Sequence, residues 1–160
     1  MKKLLLAILL TGCGKEGRDI SNYSYTPYTE RLCTVNNLFT KGYDPLMHEP
    51  IVKFSIDARK RNVPCFPTEY AVFSDELSVN SKGVLGYCDF SYGIFINRDH
   101  WMWFSAQTRI TLIYHELGHC ALGLDHYDDS TDIMNTYILS DFEIGEEWNK
   151  LVSNLFRRRK

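Results

Sequence analysis

The chain shows no strong excess of either charge: 18 basic against 20 acidic residues leave a formal net charge of -2. A nucleic-acid partner calls for a strongly basic domain or stripe, so that class is set aside. No apolar run approaches the roughly 20 residues that a membrane-spanning helix needs, which excludes such a span. No internal repeat is visible either, and 160 residues with 44% apolar and 24% charged content suit one globular core. The acidic stretch with Asp128, Asp129 and Asp132 lacks the regular spacing and glycine of a dedicated calcium loop, so it reads as a solvated turn.

What is present begins with a targeting pattern. Lys2 and Lys3 form a positive n-region and Leu4 to Leu10 a short apolar h-region. Leu10-Thr11-Gly12-Cys13 then resembles the lipobox of bacterial lipoproteins. That resemblance implies a signal peptide over 1–12, lipidation at Cys13, and an exported protein anchored to a bacterial cell membrane by its N-terminal lipid. Residues 14–31 are polar and aperiodic and read as a tether, leaving 32–160 as the folded domain. Outside the cytoplasm disulfides can form, and Cys33, Cys65, Cys88 and Cys120 make an even set with three possible connectivities.

Within the domain, Pro50 suits a first helical turn, and Ile51, Phe54 and Ala58 suggest a helix ending near Asn62. Thr68 to Phe73, Val84 to Phe90 and Tyr92 to Asn97 are β-prone; in the last, Ile94 and Ile96 point one way and Phe95 the other. From about Ser105 the period changes: Ile110, Ile113, Tyr114, Leu117 and Ala121 mark a helix with one buried face, and Gly123 is its natural stop. Ser140 and Glu143 form a capping-box pattern ahead of a last helix, whose apolar face is Trp148, Leu151, Val152 and Leu155. Arg157, Arg158, Arg159 and Lys160 end that helix, where positive charge complements the dipole. His48 and His100 lie apart from the other histidines and read as surface or hydrogen-bonded loop residues.

The chemistry gathers in the buried-face helix. His115 and His119 are four residues apart, a step that rotates only about 40° and rises about 6 Å, so both imidazoles share one face and can reach one ion. Glu116 adjoins the first of them and can act as a general base on water without being a ligand itself. A further histidine, His126, lies within reach downstream.

The run HELGHCALGLDH, from His115 to His126, closely resembles the metzincin signature HExxHxxGxxH of zinc peptidases, with one extra residue before Gly123. The preserved Gly123-Leu124-Asp125-His126 suggests a helix that runs one residue further before the same turn. Counted from His119, Asp125 takes the third-ligand position; counted from Gly123, His126 does. The direction set by the turn after glycine favours His126. Asp132-Ile133-Met134-Asn135 is similar to the Met-turn beneath the metal in that family, and Tyr137 weakly matches a tyrosine near its substrate carbonyl.

The resemblance implies an α+β fold: a small twisted mixed sheet with a backing helix, the active-site helix, the Met-turn and a C-terminal helix. It also implies that Tyr92 to Asn97 is the antiparallel edge strand that binds extended peptide. The nearness of sheet and helix in such a fold implies Cys88–Cys120 and Cys33–Cys65 bridges. The activity implied is zinc-dependent endopeptidase cleavage of a peptide or protein substrate, with one Zn2+ on His115, His119 and His126 and Glu116 as base. A different class, an envelope-anchored binding protein with structural zinc, is opposed by the intact Glu116, which a structural site does not need; a non-peptide amide as substrate uses the same chemistry.

Overall fold

Four apolar patterns, three helical and one alternating, meet in a single core. The computed structural model describes residues 32–80, 83–127 and 131–158. The expected leader, Cys13 and the tether lie outside the described residues, as do Asp128, Asp129, Arg159 and Lys160. The order is α1 (Val35–Leu38), β1 (Phe39–Tyr43), α2 (His48–Lys60), β2 (Thr68–Ser74), α3 (Asp75–Asn80), β3 (Gly86–Asp89), β4 (Gly93–Asn97), α4 (Arg98–Trp103), α5 (Ala106–Cys120) and α6 (Asp141–Arg157). The protein is therefore mixed α and β, with helices backing a four-stranded sheet. No helix among the described residues is long and apolar enough to cross a membrane.

The sheet order is β1-β2-β4-β3, with β1, β2 and β4 parallel and β3 antiparallel to β4. This corrects one expectation. The segment Tyr92 to Asn97 supplies an interior strand, paired on both sides, and the antiparallel edge is β3. Local alternation locates strands but carries no information on which neighbour each finds, since pairing is decided by tertiary contact. The alternation itself holds: Ile94 and Ile96 are fully buried, while Phe95 stacks on Tyr87 of β3 with ring centroids 4.9 Å apart.

The apolar faces of α2, α5 and α6 close over this sheet. Phe54 of α2 meets Tyr114 of α5 edge-on at 5.1 Å and Phe156 of α6 at 5.2 Å, and Trp148 of α6 meets Tyr114 at 5.0 Å. Tyr114 has no exposed surface, so its hydroxyl needs a partner; it donates to Asp57 Oδ2 at 2.8 Å, tying α5 to α2. Burial, and then that carboxylate, hold the phenol well above its ordinary pKa. The last helix opens on the expected box: Ser140 Oγ accepts from the Glu143 N–H, and Glu143 Oε2 accepts from the Ser140 N–H at 2.8 Å.

Two disulfides, Cys33–Cys65 and Cys88–Cys120, complete the frame. The second fastens edge strand β3 to α5, as the fold resemblance implied.

Candidate metal centre

Helix α5 is buried along its whole second half, from Ile110 to Cys120, so its polar residues there are enclosed by protein. His115 is 4% exposed, Glu116 1% and His119 5%, values that normally require every polar atom to be partnered. The Nδ1 of His115 lies 2.7 Å from the Ile133 carbonyl, and that of His119 lies 2.6 Å from the Leu124 carbonyl. A carbonyl only accepts, so both Nδ1 atoms carry the proton and donate. In the neutral rings the Nε2 lone pairs are left free. They face each other at 3.1 Å, and His126 Nε2 stands 3.3 Å from His115 Nε2.

Lone pairs turned together at this spacing repel unless a cation lies among them. Two nitrogens each about 2.0–2.1 Å from a tetrahedral ion lie roughly 3.3 Å apart, close to what is found. His115, His119 and His126 are the group among the described residues whose ligand atoms can hold one metal ion. The His115 and His119 rings are also kept neutral, as ligands must be. Burial, followed by the neighbouring His119, lowers the His115 pKa to about 3, and burial lowers that of His119 to about 4.

The route to His126 differs from the longer helix that the sequence suggested. Regular helix ends at Cys120; beyond it the Ala121 and Gly123 N–H groups keep the four-residue step, to Leu117 O at 2.8 Å and His119 O at 3.0 Å, while the Leu122 N–H reaches Leu117 O at 3.1 Å and the Leu124 N–H reaches Gly118 O at 2.9 Å. The last two are steps of five and six residues where an α-helix uses four. Gly123 follows with φ +70, a left-handed conformation that glycine takes at no steric cost. His126 thereby joins the cluster, while Asp125 stays exposed and outside it.

Met134, fully buried, lies under the helix because Gly118 leaves room: a Cβ at Gly118 would overlap the Met134 sulfur. The sequence reading named Met134 but missed Gly118, whose signal was a glycine inside a strongly helical run. Gly86 was missed as well. It opens the edge strand, and a Cβ there would come within 2.9 Å of Glu116 Oε1. Tyr137 is 44% exposed, and its N–H donates to Asn135 Oδ1 at 2.8 Å.

No family model, curated protein or solved structure matches the chain. The chemistry must therefore be read from the residues themselves.

Glu116 is the sharpest of them. Its Oε2 is buried and has no hydrogen-bond partner among the described residues. Burial raises the carboxyl to about 8. Asp132 is a correction: expected in a solvated turn, it is 2% exposed and held by Arg158 of the C-terminal segment. His48 and His100 stay away from the centre; His48 Nδ1 lies 2.8 Å from Tyr43 Oη, and His100 stacks on Phe104.

Proposed function

We propose that the chain is a zinc-dependent endopeptidase of the metzincin kind, with His115, His119 and His126 as ligands and Glu116 as general base. The observation that carries this reading is the buried, unpartnered Oε2 of Glu116, on the same helix as two members of the histidine cluster. An orphaned carboxylate oxygen is costly in the interior and is of no use to a purely structural site. Three imidazole nitrogens suit zinc, and a three-ligand set leaves a fourth position for chemistry. When bound, zinc supplies a Lewis acid that polarises a carbonyl oxygen and makes water acidic near neutral pH.

The protein's own groups then have distinct tasks. The Ile133 and Leu124 carbonyls hold two imidazoles in the tautomer that presents Nε2. With a cation held by the three histidines, its charge would favour the ionised form of Glu116, which would take a proton from the attacking water and return it to the leaving amine. Among the described residues edge strand β3 has one side unpaired, and it is bridged to α5 one residue beyond His119, so an extended peptide added there would run beside the helix. The two disulfides fit an oxidising compartment, consistent with an exported protein anchored through a lipid on Cys13.

The test is zinc analysis of the purified mature domain together with cleavage of an unbiased peptide library. Glu116→Gln is expected to keep one zinc per chain and to lose about 10²–10⁴-fold in kcat/KM. Undiminished turnover in that variant would exclude Glu116 as the base.

A further inference from the structure

The loop half of the centre is held from a distance by one guanidinium. Asp132 Oδ1 accepts from the Met134 N–H at 2.8 Å and from Arg158 Nη1 at 2.9 Å, and its Oδ2 accepts from Arg158 Nη2 at 2.7 Å. The same guanidinium lies over the Tyr127 ring, 3.7 Å from its centroid. Tyr127 follows His126 in the chain, and its N–H donates to Met134 O at 2.8 Å. Ile133, between Asp132 and Met134, presents the carbonyl that accepts from His115 Nδ1. Arg158, the C-cap of α6, thus touches both the segment that bears His126 and the turn that orients His115.

We infer that Arg158 is a positioning residue for the metal centre, setting metal affinity through Asp132 and Tyr127 without approaching the ion. The inference rests on the metal-centre reading above. Its physical basis is twofold. A planar fork satisfies both oxygens of a buried carboxylate at once, and its flat face stacks on an aromatic ring; lysine can do neither. Without the fork, buried Asp132 loses the guanidinium that bonds both of its oxygens, and the turn that carries Ile133 and Met134 loses that anchor. Arg157, the residue before it, is a natural control, because among the described residues its hydrogen bonds stay within its own helix, to Ser153 O at 3.3 Å and Asn154 Oδ1 at 2.6 Å.

The experiment measures Zn2+ affinity by chelator competition, and the visible spectrum of the Co2+-loaded protein, which reports coordination geometry. It compares the unaltered mature chain with Arg158→Ala, Arg158→Lys and Arg157→Ala. Arg158→Ala is expected to bind zinc about 10–100-fold more weakly and to show an altered cobalt spectrum. Arg158→Lys is expected to fall between it and the unaltered chain, and Arg157→Ala to stay within about twofold of the latter. A loss of general stability alone would leave the cobalt spectrum of the folded fraction unchanged, and that result overturns the inference. Unchanged zinc affinity in Arg158→Ala overturns it too. If Arg158→Ala does not fold, Arg158→Lys decides, and an affinity and spectrum matching the unaltered chain reject the proposal. If the unaltered chain binds neither ion, the metal-centre reading itself fails and this inference falls with it.

Discussion

The three histidines of the centre come from two kinds of structure. His115 and His119 stand on one face of α5 because backbone geometry puts residues four apart there, and the helix is buried against the core on every side. His126 comes from a segment with no regular backbone pattern, shaped by a widened helix end, a left-handed glycine and the Asp132–Arg158 pair. Local geometry places the first two; tertiary contacts place the third. The backbone position of a ligand of the first kind is set by its own helix, whereas that of the second kind depends on residues up to 32 positions away in sequence.

The largest expected effect comes from removing the loop ligand. His126→Ala is expected to weaken zinc binding more than about a hundredfold, beyond the range of residues that only orient ligands, while Asp125→Asn stays within about tenfold. Chelator competition on both variants checks this, and the opposite ranking would move the third ligand to Asp125.

Acid acts on the helix half of the comparison. His115 and His119 titrate near 3 and 4 in the native metal-free protein and near 6.5 in an unfolded chain. Their contribution is therefore fully present above about pH 6.5 and is lost as pH falls toward 4, because the unfolded chain takes up protons first. Glu116 opposes this: with its carboxyl raised to about 8, the native state binds the extra proton between pH 8 and about 4.5, and stability rises as pH falls through that window. In metal-free Glu116→Gln the opposing contribution is gone. Denaturant unfolding of that variant should show stability falling steadily from pH 6.5 to 4, and a flat profile would mean that the imidazoles are not held neutral by burial.

A smaller contrast sets the floor of the centre against an ordinary helix surface. Gly118→Ala drives a methyl into Met134 and is expected to cost about 1–3 kcal/mol through overpacking. Gly145→Ala, on α6 where a Cβ meets nothing within 4 Å, is expected to gain about 0.5–1 kcal/mol. Thermal unfolding of both metal-free variants measures the pair, and a gain at Gly118 would show that Met134 yields easily.

The same division explains what the sequence made legible. Helix α5, the capping box at Ser140 and Glu143, and the opposed faces of Ile94 and Phe95 are local patterns found where their spacing put them, although α5 is buried all round from Ile110 to Cys120 and not on one face alone. Strand β1, with Lys41 and Gly42 in five residues, shows no alternation and went unread; it is held by pairing to β2. So did α4, whose Asn97 cap accepts from the Asp99 and His100 N–H groups but whose six residues are too short for a period to show. The place of β4 inside the sheet, the burial of Asp132 and the reach of Arg158 all depend on partners distant in the chain. Spacing identified the histidines, but the atoms that aim them are backbone carbonyls, which no side-chain pattern reveals.

The bridge from Cys88 to Cys120 has a consequence for the order of assembly. Cys120 is the very next residue after His119, so a reduced chain offers an incoming ion a soft sulfur beside the nitrogen intended for it. Thiolates compete strongly for zinc and copper(I), and a chain loaded in that state can trap the ion in a mixed set of ligands. Once the two sulfurs have joined, neither is left as a thiolate to compete with the three imidazoles. On the metal-centre reading, oxidation first and metallation second is thus the productive order, because the covalent bond removes the competing thiolates before the ion arrives.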